Sequence, residues 1–379
     1  MRRRRGSDDT GDPLKSMTAK ERVLTALASR QPDRVPIDYC ANEGIDRRLK
    51  AHFGLAPGEH EELAQALHVD FRGLEIPYKG PKVHADIPER GIVTDIWGIR
   101  RMWIEHASGG YWDYCDFPLR EATEEEIANW PMPSPDDFDY STVPEQCRRH
   151  AAYAVSAGNV GLPDVINGNG MLRTMEQVLV DLITDDPAGM LLTRRRVDIQ
   201  FEMLRRTLEA ARGGIDFVWM GDDLGTQIGP TISLDLYRRQ IRPLHQRFVD
   251  LAKSFRLPVM IHSCGSSSWV YEDFIEMGIK AVDTLQPEAK NMAPEYLKAH
   301  FGGRLAFHGC ISTAGPVAYG TRDETVAYCR RTLEIMMPGG GYCFAPTHML
   351  QDNSPTENVV AMYATARDFG RYGAPSSAG

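Results

Sequence analysis

The chain has 379 residues, 42% of them hydrophobic and 25% charged, and these ordinary globular values exclude a largely disordered, collagen-like or coiled-coil protein. A net charge of -9 and a pI near 5.7 argue against a nucleic-acid-binding surface, and no apolar segment approaches the length needed to span a bilayer. Seven cysteines without a CxxC pair predict reduced thiols, and a basic start without a following hydrophobic segment predicts a cytoplasmic protein.

Three regions are predicted along the chain. Residues 1–16 are rich in Arg, Asp and Gly and are expected to form a disordered tail, and residues 372–379 a flexible C-terminus. Residues 17–371 are expected to form one domain. It begins with a capping box at Thr18 and Glu21, which predicts the start of an amphipathic helix.

The pattern after this first helix is irregular. Arg34–Asp38 is predicted to be a short strand, and Ile92–Trp103 is predicted to be two strands that turn near Gly98. A loop rich in Pro, Asp and Ser covers 131–144. We interpret the stretch from about 50 to 150 as an insertion or lid near the N-terminus rather than as a separate domain.

Strands and amphipathic helices alternate beyond the insertion. The helical patterns show a single apolar face at spacings of three and four residues. The predicted strands are Tyr153–Val155, Asp164–Asn167, Phe217–Met220, Val259–Ile261, Val282–Leu285, Leu305–Phe307 and Tyr342–Phe344. This alternation predicts a parallel sheet, and a count of about eight strands predicts an α/β fold closed into a (β/α)8 TIM barrel.

Polar side chains follow the carboxyl ends of five of these strands. They are Asp222, Asp223 and Gln227, then His262 and Cys264, then Gln286, then His308 and Cys310, and finally His348. In a barrel these ends meet at one mouth, where barrel enzymes place their chemistry. A lone His and Cys at a strand end also fit core packing, but the convergence of five strand ends favours a site in which imidazole and thiolate bind a metal such as zinc.

Several longer segments carry a family resemblance that covers nearly all of 17–371. They are MTAKERVLTALASRQPDRVP at 17–36, GDDLGTQ at 221–227, MIHSCG at 260–265, LQPEAKNM at 285–292, FGGRLAFHGCIST at 301–313, PGGGYCFAPTHMLQ at 338–351 and SPTENVVAMY at 354–363. In combination they resemble the uroporphyrinogen decarboxylase superfamily. Within it, the chain is similar to the cobalamin-linked methyltransferase branch that includes the methylcobalamin:coenzyme M methyltransferases.

The resemblance implies a (β/α)8 barrel with zinc in its mouth, held by an H-x-C pair and a third ligand from a late strand. His262 and Cys264 match the pair. Aligning Ala345-Pro346 and Ser354–Asn358 with the family pattern places His348 where the coenzyme M enzymes have a cysteine. The predicted ligand set is therefore His262, Cys264 and His348, with one thiolate fewer and a more electrophilic metal.

Porphyrinogen decarboxylation itself is not expected from the sequence. A porphyrinogen carries many carboxylates, and its decarboxylases have arginines in a P-x-W-x-M-R-Q-A-G-R stretch after the first strand. This chain has VPIDYCANEGIDRR at 35–48 in that place, without the arginine cluster.

The sequence therefore predicts transfer of a methyl group from methylcobalamin or a protein-bound corrinoid to a thiol-type acceptor that zinc activates. Asp222 and Asp223 are predicted to be catalytic, by orienting a zinc-bound His or the substrate, although a helix N-cap explains Asp222 nearly as well. The residues predicted to bind substrate are Asn169, Gln227, Gln286, His308 and Cys310. Turn chemistry also explains Asn169. Cys310 and Cys343 are reserve metal ligands. Core packing explains Cys310 as well as a place in the site does, and it explains Cys343 better.

Two other functions stay open at this point. One is a metal-dependent lyase or decarboxylase for a small carboxylated substrate, in which Asp222 or Asp223 moves a proton. The other is a barrel that binds a corrinoid or another small ligand without turnover. The expected partners are a small-molecule substrate and a corrinoid protein, with no nucleic acid or membrane, and the chain is expected to be a monomer or homodimer.

Overall fold

The computed structural model of the chain describes residues 16–106 and 109–373. The predicted tails at 1–16 and 372–379 lie outside these ranges, apart from Ser16, Tyr372 and Gly373. The described strands are β1 Phe71–Gly73, β2 Ile92–Thr94, β3 Arg100–His106, β4 Gly109–Cys115, β5 Ala154–Pro163, β6 Phe217–Gly221, β7 Val259–Ser263, β8 Ala281–Thr284, β9 Ala306–Ile311 and β10 Tyr342–Pro346.

The helices surround the strands. They are α1 Ala19–Leu27, α2 Glu43–Phe53, α3 His60–Ala66, α4 Glu124–Asn129, α5 Val143–Arg149, α6 Val165–Arg173, α7 Met175–Thr184, α8 Pro187–Ala211, α9 Leu234–Leu236, α10 Arg242–Ser254, α11 Tyr271–Met277, α12 Pro294–Phe301, α13 Pro316–Tyr319, α14 Arg322–Met336 and α15 Thr356–Phe369. The capping box predicted for α1 is present, because Thr18 accepts from the Glu21 amide and Glu21 accepts from the Thr18 amide. None of the helices in the described ranges is long and apolar enough to cross a membrane.

A seven-stranded sheet organises the fold. Its order is β1-β5-β6-β7-β8-β9-β10, and every neighbouring pair is parallel. Helices connect successive strands, as parallel pairing requires, and most strand residues are apolar and buried. The mixed α/β class predicted from the sequence is therefore confirmed.

The sheet is curled around a small apolar cluster at one end. Helix α1 contributes Val23, Ala26 and Leu27 to this cluster. Each strand of the seven-stranded sheet contributes one residue, at or next to its first position. These strand residues are Phe71, Ala154, Phe217, Met260, Ala281, Ala306 and Cys343. Because α1 covers the amino ends of the strands, their carboxyl ends are left to form a site.

The two edges of the sheet approach each other through a short segment near residue 37. The Asp38 amide donates to Phe344 O in β10 at 3.0 Å, and the Asp70 amide, just before β1, donates to Ile37 O at 2.8 Å. The predicted strand at Arg34–Asp38 is thus present only as isolated bridges, including one between Ile37 and Phe344. Within the described ranges the continuous sheet has seven strands, not the eight of the predicted barrel.

One predicted strand, Asp164–Asn167, is wrong. The strand β5 ends at Pro163, and α6 begins at Val165. The first backbone amides of α6, those of Val165 and Ile166, donate to the Asp222 carboxylate. Asp222 lies 57 positions after Val165, so no local sequence pattern reveals where this helix begins. Strand β1 was not predicted, since its sequence FRG lacks an apolar pattern.

The insertion carries an antiparallel sheet of β2, β3 and β4. The predicted turn near Gly98 is confirmed, and its φ of 87° explains the glycine. The strand β4 adds a partner that was not predicted, with Trp103 paired to Trp112 and Arg101 to Tyr114. Trp103, Trp112 and Tyr114 therefore share one face of the sheet.

Candidate metal-binding site

A cavity of about 290 Å³ opens at the carboxyl ends of the strands. Its wall contains polar groups from several strand ends together with aromatic and apolar side chains. The lining residues are Asp38, Tyr39, Cys40, Tyr114, Val160, Asp164, Asn167, Met171, Trp219, Asp223, His262, Cys264, Asp283, Thr284, His308, Ala345, Pro346, Thr347, His348 and Met349. The cavity therefore lies where the alternation of strands and helices predicted a site.

Three potential metal ligands come together on one side of this cavity. Asp223 follows β6, His262 lies in β7 and Cys264 follows it. Their ligand atoms all lie within 4.8 Å of one another, the only such group of three His, Cys, Asp or Glu residues found in 16–106 and 109–373. Nitrogen, sulfur and oxygen donors in one group are the ligands that zinc takes in proteins.

The spacing of these atoms fits a tetrahedral ion. Nε2 of His262 lies 3.4 Å from Sγ of Cys264 and 3.5 Å from Oδ1 of Asp223. Typical Zn–S, Zn–N and Zn–O bond lengths with tetrahedral angles place such atoms about 3.6 Å and about 3.4 Å apart. The two separations from His262 therefore match those of a zinc site, and the Sγ of Cys264 lies within 4.8 Å of an Asp223 oxygen.

His262 is oriented by a carboxylate on its other nitrogen. Nδ1 lies 2.7 Å from Oδ2 of Asp283, and Oγ1 of Thr284 also lies 2.7 Å from Nδ1. A proton on Nδ1 that is shared with Asp283 leaves Nε2 as the nitrogen that faces Cys264 and Asp223. A carboxylate–histidine pair of this kind is the usual support of a zinc-bound histidine.

The same carboxylate continues a buried chain of alternating acids and histidines. Oδ1 of Asp283 lies 2.6 Å from Nδ1 of His308, and Nε2 of His308 lies 3.0 Å from Oδ2 of Asp38. Burial opposes protonation of His308, but attraction to Asp283 and Asp38 outweighs it and raises the His308 pKa to about 10. The two histidines in turn hold the pKa of Asp283 below its usual range despite burial.

The thiol of Cys264 does not ionise readily by itself. Burial raises its pKa above the usual value, and the neighbouring His262 only partly offsets this effect. Burial likewise opposes protonation of His262, but Asp283 and Cys264 raise the His262 pKa well above the usual value. A metal at this site would have to displace protons from both side chains, as is general for such sites.

Asp223 is held by one hydrogen bond on each oxygen of its carboxylate. The Cys264 amide donates to Oδ1 at 2.8 Å, and Nδ2 of Asn167 donates to Oδ2 at 2.7 Å. His348 lies on the wall of the same cavity, but it is exposed and is not part of the three-residue group. The structure therefore places Asp223, rather than the predicted His348, beside His262 and Cys264.

Asp222 and Asn169 lie away from the cavity in buried structural positions. The Asp222 carboxylate accepts from the first amides of α6 and lies 3.2 Å from Nε2 of the buried His245. Nδ2 of Asn169 donates to Oγ1 of Thr193, and its Oδ1 accepts from Arg196. Asp222 therefore caps the start of α6 from a distant part of the chain, and it is not the N-cap residue of a helix that it begins.

The remaining predicted residues are spread around the site. Gln227 is exposed, whereas Oε1 of Gln286 accepts from the Gly265 amide at 2.7 Å and so holds the loop after Cys264. Cys310 is fully buried in the main core and Cys343 in the cluster beneath α1, and burial raises the pKa of both thiols. Neither cysteine lines the cavity.

The backbone is strained where β8 and β9 end beside the site. Thr284, Leu285 and Cys310 have positive φ values of 86°, 57° and 67°, which are unusual for residues with side chains. Gly309, with a φ of 123°, lies so close to Thr284 O that a Cβ atom would collide with it. Asp283 and Thr284, which contact Nδ1 of His262, thus lie in a strained segment that the surrounding contacts must hold in place.

Sequence reasoning missed three acidic residues that line the cavity. Asp283 is a buried charge inside an apolar strand, a signal that was visible in AVDT. Asp38 is recognisable only through its contact with His308, 270 positions away. Asp164 is buried, its Oδ1 has no partner within 16–106 and 109–373, and burial together with Asp222 and Asp223 raises its pKa well above the usual value.

Comparison with known proteins now defines the class of protein. The uroporphyrinogen decarboxylase (URO-D) family model matches residues 157–369, more than half of the chain. The chain therefore belongs to this family, as the sequence motifs predicted. The matched region contains every residue of the three-residue group.

One solved structure, a methyltransferase from Methanosarcina mazei, is similar to this chain with a TM-score of 0.61. The similarity covers 93% of this chain and 99% of that one at 17% sequence identity, which establishes a shared fold. No curated protein matches the chain in sequence.

Proposed function

We propose that this URO-D family member is a zinc-dependent methyltransferase that moves a methyl group from a methylated corrinoid to a thiol-type acceptor. The observation that carries the proposal is the arrangement around His262, whose Nε2 meets Cys264 and Asp223 at zinc-like spacing while Asp283 holds Nδ1. The fold shared with the methyltransferase from Methanosarcina mazei is in keeping with this function.

The residues of the chain would hold zinc and position the acceptor. Bound zinc supplies Lewis acidity, which lowers the pKa of a thiol so that it exists as thiolate near neutral pH. Asp283 keeps His262 in the tautomer that presents Nε2, and Asn167 fixes the plane of the Asp223 carboxylate. Three protein ligands leave a fourth position open for the acceptor.

We assign Asp223 as the third ligand, and keep His348 as the alternative that the family resemblance implies. Asp223 already lies at ligand spacing, whereas His348 is exposed on the cavity wall. A His–Cys–carboxylate set has one thiolate, like the predicted His–Cys–His set, so both sets give an electrophilic metal. The two assignments predict different effects of removing Asp223 and His348.

The cavity does not suit a porphyrinogen. No arginine or lysine occurs among its lining residues within the described parts of the chain, and its volume is about 290 Å³. A tetrapyrrole with many carboxylates would need cationic partners there. A small neutral or weakly charged acceptor fits better, which supports methyl transfer over decarboxylation of a porphyrinogen.

We propose that the methyl donor, methylcobalamin or a corrinoid bound to a partner protein, approaches from the outer edge of the cavity. That edge carries the exposed His348 and Met349 and the half-exposed Tyr114 of β4. The bridges from residue 37 to both edges of the sheet further support the proposal that the strands close into a (β/α)8 barrel with this mouth.

A second candidate function is metal-dependent lyase chemistry, and Asp164 is the observation that favours it. Its carboxyl group lines the cavity, its Oδ1 has no partner within the described residues, and burial together with Asp222 and Asp223 raises its pKa, which favours the protonated form that can donate a proton. In this scheme Asp164 would protonate a substrate bound at the metal. Replacing Asp164 with Asn should abolish lyase activity but leave methyl transfer largely intact.

Demethylation of methylcobalamin tests the primary proposal. The zinc-loaded chain, incubated with methylcobalamin and coenzyme M or another small thiol, should show the visible-spectrum change of cobalamin that has lost its methyl group. The Cys264→Ser variant should lose this activity, and Cys115→Ser, at a cysteine outside the cavity, should keep it. Absence of any spectral change with a panel of thiols would refute methyl transfer from free methylcobalamin to a thiol.

A further inference from the structure

A second cavity, of about 660 Å³, lies beside the candidate metal site. The two cavities share the 158–163 segment of β5 as a wall, with Val160 lining the first and Gly161 and Leu162 lining the second. Helix α8 forms the opposite wall through residues one and two turns apart, including Arg196 and Gln200.

Arg196 is a buried guanidinium without a carboxylate partner. It is 5% exposed, and its one hydrogen bond among the described residues runs from Nη1 to Oδ1 of Asn169 at 2.8 Å. Nε is buried and has no hydrogen-bond partner in the described part of the chain. The Trp97 ring covers the guanidinium at 5.1 Å, and Gly168 leaves room for it on α6.

The nearest acidic groups do not neutralise this charge by contact. Asp95 and Asp164 attract Arg196 electrostatically, but neither forms an ion pair with it, and Asp95 is paired with Arg101 at 2.9 Å. Burial lowers the Arg196 pKa to about 10 despite these two carboxylates. A buried guanidinium without a contacting carboxylate lowers the stability of the fold unless an anion binds it.

Gln200 adds a requirement for a hydrogen-bond donor. Its Nε2 donates to Gly161 O at 2.8 Å, which fixes Oε1 as an acceptor, and the buried Oε1 has no partner among the residues that the structure describes. Much of the remaining wall is apolar, with Met203 and Leu204 on α8. The exposed Glu75 at the rim disfavours ligands with several negative charges.

We propose that this cavity binds a small monoanionic hydroxycarboxylate with an apolar body. Its carboxylate would pair with the free edge of the Arg196 guanidinium, and its hydroxyl group would donate to Oε1 of Gln200. The apolar body would lie along Met203 and Leu204. This site is separate from the candidate metal site and does not depend on its function.

Calorimetric titration of the full chain with three matched probes tests the proposal. Mandelate carries the carboxylate, the hydroxyl group and an apolar ring, phenylacetate lacks the hydroxyl group, and mandelamide lacks the charge. Mandelate should bind most tightly, phenylacetate several-fold more weakly and mandelamide about 10- to 100-fold more weakly. Absence of mandelate binding at millimolar concentration, or equal binding of all three probes, would overturn the proposal.

Variants assign each contact. Gln200→Leu should remove the preference for mandelate over phenylacetate, and Arg196→Met should remove the preference for mandelate over mandelamide. If Arg196→Met does not fold, Met203→Trp, which fills the cavity and keeps the guanidinium, should abolish binding. The matched control Met175→Trp, at a methionine that is 44% exposed, should bind mandelate like the unmodified chain.

Carboxylates also bind metal ions, and the first cavity contains the candidate metal site, so His262→Ala provides the last control. The proposal predicts that mandelate affinity in this variant stays within twofold of the unmodified chain. Loss of binding in His262→Ala, or unchanged binding in both Gln200→Leu and Met203→Trp, would place mandelate elsewhere and overturn the proposal.

Discussion

The Asp283→Asn substitution tests how the buried chain of acids and histidines supports the candidate metal site. The carboxylate accepts from the Thr284 amide at 2.6 Å and contacts Nδ1 of His262 at 2.7 Å and Nδ1 of His308 at 2.6 Å. Asparagine is nearly isosteric but offers a single acceptor oxygen and an NH₂ group. One of the two histidines must therefore face the NH₂ group and lose its hydrogen-bond acceptor.

Two effects of different size follow from this geometry. Loss of the carboxylate behind a metal-bound histidine should weaken zinc binding about 10- to 100-fold, or about 1.4 to 2.7 kcal/mol. The buried His308, which is protonated near neutral pH because its pKa is about 10, would also lose its main anionic partner. Breaking such a buried pair should lower the free energy of unfolding by about 3 kcal/mol.

Zinc affinity measured by competition with a chromogenic chelator, together with urea unfolding of the metal-free protein, separates these effects. The control is Asp323→Asn, at an aspartate whose side chain is 93% exposed, and it should change neither quantity. A zinc affinity within twofold of the unmodified chain would refute the role of Asp283 in orienting His262.

Three further substitutions test structural contacts around the site. Asp222→Asn should lower the free energy of unfolding by about 2 kcal/mol in urea titrations, because an asparagine side chain cannot satisfy both backbone amides of α6 and His245. Zinc stoichiometry should not change in this variant, and loss of zinc would restore a direct role for Asp222. Asp70→Asn should cost about 3 kcal/mol by the same measurement, since the fully buried carboxylate pairs with two arginines, and a loss below 1 kcal/mol would contradict this account. Gly309→Ala should lower the melting temperature by several degrees through collision with Thr284 O, and an unchanged melting temperature would show that the strained β8–β9 contact is not needed.

The position of the site could be predicted from the sequence because it depends on a repeated pattern. Alternating strands and helices predict parallel pairing, and parallel strands bring their carboxyl ends to one edge. The structure places Asp223, His262, His308 and His348 on one cavity wall at that edge. Predicting this convergence required no knowledge of any single contact.

The identity of the third ligand could not be predicted in the same way. Asp223 reaches the pair because the Cys264 amide and Asn167 hold its carboxylate, and Asn167 belongs to a helix that the sequence pattern indicated as a strand. His348 follows from alignment with a family pattern, which fixes chain position but not side-chain direction. Local periodicity carries no information about either orientation.

The end of β5 could not be predicted for a related reason. Its ten residues include two glycines, an asparagine and a proline, which are untypical of strands, and the register with β6 shifts between Gly158 and Pro163. The first backbone amide of the following helix, α6, donates to the carboxylate of Asp222, which lies just after β6. Contacts between distant parts of the chain therefore override local preference at the wall shared by the two cavities.

Zinc content of single variants tests the proposed metal site most directly. After loading with zinc and removal of excess metal, the unmodified chain should retain about one zinc, and His262→Ala, Cys264→Ala and Asp223→Ala should retain none. His348→Ala and the exposed-histidine control His60→Ala, whose side chain is 74% exposed, should retain the metal. Loss of zinc in His348→Ala with retention in Asp223→Ala would assign the third ligand to His348 instead. Full retention in both His262→Ala and Cys264→Ala would contradict a metal site built on these residues.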